Sequence, residues 1–331
     1  MQTLMIKENE KGQRLDKLLA KYLNKAPKGF LYKMLRKKNI TLNGRRAAGS
    51  EILTYGDEVQ LFLSDETIEK FSKKEESFAG GFSKPDIIYE DENVLFINKP
   101  AGILSQKAEA EDVSMVEIAI AYMLEKGELS GEQLKSFRPS VCNRLDRNTT
   151  GILAAGKTLA ALQALSGLFR DRSVGKYYLC LVRGRMEAAR LTGYLVKDRR
   201  TNTVSVSGTA DSPEAVPICT FYEPLAYGGA LTLLKVKLVT GRTHQIRAHL
   251  SSVGHPIIGD PKYGDREINR QYRDEYGLSC QLLHSYELCL PSIEGELSYL
   301  SGRCFKAELP KHFKRVLGGE GIAWRPGTPE D

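Results

Sequence analysis

The sequence predicts an α+β protein: a small mixed α/β module at the N-terminus, then a larger domain on a mostly antiparallel mixed sheet with flanking helices. Three observations lead there. The 331 residues, 41% hydrophobic and 27% charged, suit two soluble globular domains rather than one core. A polar, charged stretch at 64–84, carrying Gly80-Gly81, divides the chain. Beyond it, strand candidates outnumber helix candidates and hairpin spacing is common.

In the first module, residues 12–24 place Leu15, Leu18, Leu19 and Tyr22 on one helical face. Pro27 breaks the chain, since it lacks an N–H and fixes its own φ. A second helix fits 28–38, where Phe30, Leu31, Met34 and Leu35 are apolar and Lys33, Arg36, Lys37 and Lys38 lie on or beside the other side. A short strand then enters Asn43-Gly44, the strongest short hairpin signal, and 58–63 finish with a strand. The predicted boundaries are 1–63 for this module, 64–84 for a flexible linker, 85–318 for the larger domain and 319–331 for a frayed tail. In the larger domain, strands are expected at 86–89, 93–98, 152–155, 176–182 and 231–239, and helices at 113–126 and 159–171. Residues 231–239 alternate, with Leu234, Val236 and Leu238 on one face and Lys235 and Lys237 on the other. No internal repeat is visible.

The net charge of +7 is unevenly spread. Residues 1–50 carry +10, residues 51–100 carry −7, and the rest carries +4. The first 50 residues therefore read as a module whose partner is a polyanion. Apolar runs fall far short of a membrane span, and the N-terminus has no apolar signal core. Membrane insertion and secretion are not expected. Cysteines 142, 180, 219, 280, 289 and 304 are scattered with no C-x-x-C pair, which speaks against structural zinc and a disulfide framework. Reduced thiols in a cytoplasmic protein are the expectation.

Four motifs could carry chemistry. Gly151 to Thr158 matches the phosphate-loop pattern G-x-x-x-x-G-K-[ST], but its four central residues are apolar and look like a strand themselves. Asn143-Arg144-Leu145-Asp146-Arg147 sets one carboxylate between two arginines; the cations favour its ionised form, which suits a nucleophile or base, or else this is an ordinary Asp-Arg turn. In Gly241 to Leu250, Thr243 could cap a helix that carries His244 and Arg247 on one face. His244 and His249 would stand about 140° apart on that helix, a poor metal pair. Its cationic end fits a phosphate or ribose contact, a charge partner for a buried Asp, or a solvated helix start. In Lys176-Tyr177-Tyr178, the two rings point to opposite faces of a strand, one toward the core and one toward a cleft.

These pieces, in this order, resemble the RluA-type pseudouridine synthases. Asn98 to Gly102 resembles the family's N-K-P-x-G opening, and Arg144-Leu145-Asp146 with Thr149-Thr150-Gly151 resembles its H-R-L-D-x-x-T-S-G motif. Lys176 and Tyr178 resemble its K-x-Y strand, Gly241 to His249 its G-R-T-H-Q-I-R-x-H motif, and Gly259 to Gly264 and Leu282 to Ser285 two later blocks. The first 63 residues look like the small alpha-L RNA-binding domain of ribosomal small-subunit protein four. The resemblance implies isomerisation of uridine to pseudouridine in structured RNA, above all large-subunit ribosomal RNA. Asp146 is then the catalytic carboxylate, Arg247 its ion-pair partner, and Tyr178 the residue that stacks on the base. Arg144 helps flip the uridine out of the RNA. Arg242 and His244, with Lys28, Lys33, Arg36, Lys37, Lys38 and Arg45 of the basic module, are the further RNA contacts. The family needs no cofactor and no metal. The enzyme is expected to be a cytoplasmic monomer with no membrane partner. Two departures stand out: Asn143 replaces the family's usual His, and Thr150 its usual Ser. The alternative is a non-catalytic RNA-binding or ribosome-assembly factor with a degenerate synthase domain.

Overall fold

The computed structural model describes residues 1–72, 82–109, 111–198 and 200–324. The N-terminal unit contains β1 (Gln2–Met5), α1 (Leu15–Tyr22), α2 (Lys28–Arg36), β2 (Ile40–Leu42), β3 (Arg45–Arg46), β4 (Glu58–Leu61) and α3 (Asp65–Phe71). Its sheet runs β1-β4-β2-β3, all antiparallel. Asn43 and Gly44 both take positive φ, 50° and 71°, as the two-residue turn between β2 and β3 requires. Leu15, Leu18 and Leu19 of α1 meet Leu31, Met34 and Leu35 of α2 over Ile40, Val59 and Leu61 in one core. Lys28, Lys33, Arg36, Lys37, Lys38 and Arg45 are all exposed.

The segment 64–84 is not linker throughout. Ser64 caps α3 by accepting the Thr67 N–H, Ile68 is buried, and the Phe71 ring lies 4.4 Å from Phe30. The polar composition conceals a short amphipathic helix closing the first core. The middle of the expected linker, 73–81, lies outside the described residues.

The larger part follows with β5 (Ile87–Glu90), β6 (Val94–Lys99), α4 (Met115–Glu125), α5 (Gly131–Ser136), β7 (Ser140–Val141), β8 (Thr150–Gly156) and α6 (Leu159–Arg170). Then come β9 (Gly175–Arg183), β10 (Ala189–Asp198), β11 (Thr203–Ser207), β12 (Val216–Gly228), β13 (Leu231–Leu238) and α7 (Gln245–Ser252). The chain ends with α8 (Arg266–Tyr276), β14 (Leu283–Cys289), a 3-10 turn at Gly295–Leu300, β15 (Cys304–Lys306) and α9 (Lys311–Gly319). One sheet of 11 strands runs β11-β10-β12-β13-β9-β14-β8-β6-β5, with β15 beside β14 and β7 beside β8. All pairs are antiparallel except β14 with β8. The mostly antiparallel α+β expectation is met.

Every residue of β8 is buried, which is why its sequence is continuously apolar and mimics a phosphate loop. One sheet face packs on α4 and α7, and the other on α6, the 3-10 turn, α8 and α9. Gly151 sits where β8 and β14 run parallel. Its φ is +107°, and a Cβ there would lie 2.2 Å from the Ser285 carbonyl oxygen, so only glycine permits the approach.

Two further expectations are corrected. Cys289 and Cys304 face each other on β14 and β15 and form a disulfide, so the thiols are not all reduced. A separation of 15 residues hid a direct cross-strand pairing. The segment from 319 is not all frayed: Ile322 is buried, and Trp324 packs edge-on against Tyr286. Residues 325–331 lie outside the described residues. The two units touch where Ser136 donates a hydrogen bond to Glu10 at 2.6 Å and Lys21 lies over the Phe137 ring.

Candidate active site

Asp146 stands on the loop between β7 and β8, and hydrogen bonds at residues 143, 145, 147, 149 and 150 fix that segment. Asn143 accepts the Ala154 N–H at 2.8 Å and donates to the Ile152 carbonyl at 3.1 Å, standing in for a strand backbone beside β8. Asn143, one of the two departures from the family pattern, therefore faces the sheet. Ser105 accepts the Leu145 N–H and donates to the Leu145 carbonyl, at 2.9 and 3.0 Å. The Arg147 carbonyl accepts from Lys99 at 2.8 Å and from the Gly102 N–H at 3.0 Å. Thr149 accepts from Gln281, and the Thr150 hydroxyl is bonded to His284 Nδ1 at 2.8 Å.

Lys99 is fully buried. Its three donors meet the carbonyls of Pro100, Ile103 and Arg147, all within 2.8 Å. Burial pulls its pKa down to about 7, against the opposing charge of Asp146. His284 is likewise enclosed, and burial lowers its pKa to about 4, leaving a neutral ring between Thr150 and the Ala307 carbonyl.

Arg247, on α7, reaches Asp146 with Nη1 at 2.8 Å. Its other edge grips Asp260, Nε at 2.7 Å and Nη2 at 2.8 Å. Asp260 is wholly buried and also accepts the backbone N–H groups of Lys262 and Tyr263. Burial works against the Arg247 cation, yet the hydrogen bonds and charges of Asp260 and Asp146 push its pKa above the ordinary value. A permanent, doubly anchored cation thus faces Asp146, whose side chain keeps about a quarter of its surface open, at 26%.

His244, not Thr243, caps α7. It takes a left-handed backbone, φ 54°, and no side-chain cap bond forms. That turn sends the ring inward: it is buried, bonded through Nδ1 to the Tyr263 hydroxyl at 2.9 Å, with Nε2 3.9 Å from Asp146. Burial lowers its pKa, so the ring is neutral at pH 7. Gln245 ties the turn down, donating to the Cys219 carbonyl and accepting from Thr240 and the Arg242 N–H.

Tyr178 on β9 faces the core and lies opposite Ser285 of β14. Burial, with the Asp146 charge adding, pushes its pKa up to about 12, so it is a phenol and not a phenolate at neutral pH. Tyr177 points to the opposite face, into a cavity of about 340 Å³ with Lys235 and Lys237. Arg144 and Arg242 are exposed. Asp146, Arg247, Tyr178 and His244 come together; Lys28, Lys33, Arg36, Lys37, Lys38 and Arg45 stand on the separate N-terminal unit. Sequence reasoning assigned no role to Lys99, Ser105, Asp260, Tyr263, Gln281 and His284. Five of them lie in or beside the quoted blocks 98–102, 259–264 and 282–285, the one available signal.

Comparison with known proteins agrees with this geometry. Residues 93–252 match the family described as RNA pseudouridylate synthase. The chain is 31% identical to ribosomal large subunit pseudouridine synthase C of Vibrio cholerae, covering 96% of each chain. It is 32% identical to the protein of the same name in Escherichia coli, covering 86% of each. Among solved structures, human RNA pseudouridylate synthase domain containing 4 shares the fold, with a TM-score of 0.58 and 22% identity over 72% of this chain and 94% of that one. The chain belongs to the RluA-type branch of the RNA pseudouridylate synthase family.

Proposed function

We propose that this pseudouridine synthase acts on large-subunit ribosomal RNA and that Asp146 is its catalytic carboxylate. The observation that carries the proposal is the Asp146–Arg247–Asp260 array, which holds one open carboxylate against a buried guanidinium, its charge felt by Tyr178. The uracil leaves its ribose through N1, rotates and rejoins through carbon five. Substrate and product contain the same atoms, so no second substrate is consumed. Asp146 supplies the carboxylate for that exchange, and Arg247 holds it in place. Tyr178 stacks on the base and offers a neutral hydroxyl. Exposed Arg144 and Arg242 contact the RNA, with Arg144 filling the place of the flipped uridine. The unit at 1–63 is an alpha-L type RNA anchor, supported by its exposed cations at 28, 33, 36, 37, 38 and 45. Ribosomal RNA as substrate is supported by the names of the relatives. A cytoplasmic monomer belongs to the same reading.

Asp146→Asn tests the assignment. Tritium release from a labelled large-subunit RNA transcript should fall about 10³-fold or more, the size expected for a group acting in the chemistry itself, with RNA affinity kept. Full turnover by the variant would overturn it.

A further inference from the structure

We propose that Lys176 and Arg172 hold one phosphodiester of the RNA strand beside the 241–244 turn, which makes Lys176 an RNA-binding residue. The inference rests on the functional reading above.

Lys176 stands two residues before Tyr178 on β9, so both side chains leave the same face of the strand. It is half-buried. Other buried lysines here are satisfied internally: Lys99 by three carbonyls, Lys157 by Glu90, Glu128 and the Asp91 carbonyl. Lys176 is different. Among the described residues its ammonium makes no hydrogen bond or ion pair, and the charge that acts on it is another cation, Arg172. Burial and then that like charge pull its pKa below the ordinary value. A desolvated ammonium beside a guanidinium, with no acid to offset either, is an arrangement that an anion completes.

Two further features open the place to a ligand. A Cβ built on Gly241 would lie 3.6 Å from Lys176 Nζ, so the ammonium stands against the exposed start of the 241–244 turn. Arg172 is exposed and takes the left-handed conformation, φ 61°, just beyond α6, where Ser173 N–H returns to the Leu168 carbonyl. Glycine is the usual residue at such a helix end. Arg172 thus takes a backbone disfavoured for an L residue, and its cation lies within electrostatic reach of Lys176. The anion that the enzyme's substrate supplies is the RNA backbone, and a lysine reads it as a point charge.

The test uses the full chain and a large-subunit RNA transcript. Lys176→Gln, Arg172→Gln, the double variant and Lys176→Arg are compared for affinity across a KCl series, and for KM and kcat by tritium release. Each glutamine should weaken binding about fivefold to tenfold at low salt, and the double variant, which frees the one shared phosphodiester, should lower the slope of log affinity against log salt by about one. KM should rise with kcat within about twofold, since uniform binding is lost. Lys176→Arg should keep the slope. The melting temperature of Lys176→Gln should stay level or rise, because a desolvated cation has been removed. An unchanged salt slope in the double variant would overturn the proposal, as would a fall in kcat at saturating RNA with KM unchanged. Binding is measured without turnover, so these arms decide the proposal even if wild type forms no pseudouridine in the transcript. That last result would count against the substrate assignment instead.

Discussion

Arg247 offers one edge of its guanidinium to Asp260 and its remaining nitrogen to Asp146. Because Asp260 is fully buried, it has no exchange with water to fall back on. Asp260→Asn should therefore destabilise the fold by about 3 kcal/mol, the size expected when one partner of a buried pair is removed. Urea unfolding measures this, and synthase activity should fall with it as Arg247 loses its anchor. His284 carries a pH signature. Its folded pKa of about 4 lies below the ordinary 6.5, so the unfolded chain binds the proton first as pH falls through that window. Stability should drop by up to about 1.4 kcal/mol per pH unit from this group between 6.5 and 4, and His284→Gln should show the shallower profile in a urea series. Lys99 acts in a higher window: its folded pKa of about 7 against 10.5 makes its contribution grow as pH rises between the two. Asp146 and Arg247 are legible in the sequence because each sits in a dense polar motif. Asp260 is not, since an Asp before a proline reads equally well as a turn residue, and its meaning arises only when α7 crosses over it.

At the scale of elements, periodicity finds what is locally consistent. The helices α1, α2, α4 and α6 and the strands β5, β6, β8, β9 and β13 lie within a few residues of their expected places. The strands β10, β11 and β12 have mixed faces, and their burial comes from neighbours that no local window contains. The helix α3 is hidden by acidic and polar residues around one buried Ile68. The junction of β8 with β14 gives a sharp prediction. Gly151→Ala places a methyl against the Ser285 backbone at a left-handed φ, and should cost more than about 3 kcal/mol, read as a lowered melting temperature. The Cys289–Cys304 bond closes a 15-residue separation, so reduction should lower stability by about 3 kcal/mol in the chain-entropy picture. Unfolding with and without dithiothreitol, alongside Cys304→Ser, separates the bond from the reductant.

Across the whole molecule, charge is segregated from chemistry. Lys33, Arg36 and Lys37 lie exposed on or just beyond α2, while the Asp146 site uses a single buried arginine held between two acids. Replacing Lys33, Arg36 and Lys37 by glutamine should weaken RNA binding across sequences and lower the salt slope by about three, with kcat at saturating RNA retained. A binding titration against KCl checks it. The net charge of +7 says little of this, because two regions of opposite sign nearly cancel in it.

The strand β14 has one more consequence, in the order of synthesis. It inserts between β8 and β9, which are neighbours along the chain but not in the sheet. Until residues 283–289 have left the ribosome, the nascent chain holds two partial sheets with a gap between them, and Thr150 and Tyr178 both lack their β14 partners, His284 and Ser285. A chain stopped before β14 therefore presents two unpaired edges and an unfinished site, a recipe for aggregation rather than partial activity. The enzyme becomes competent only once β14 has been made and paired.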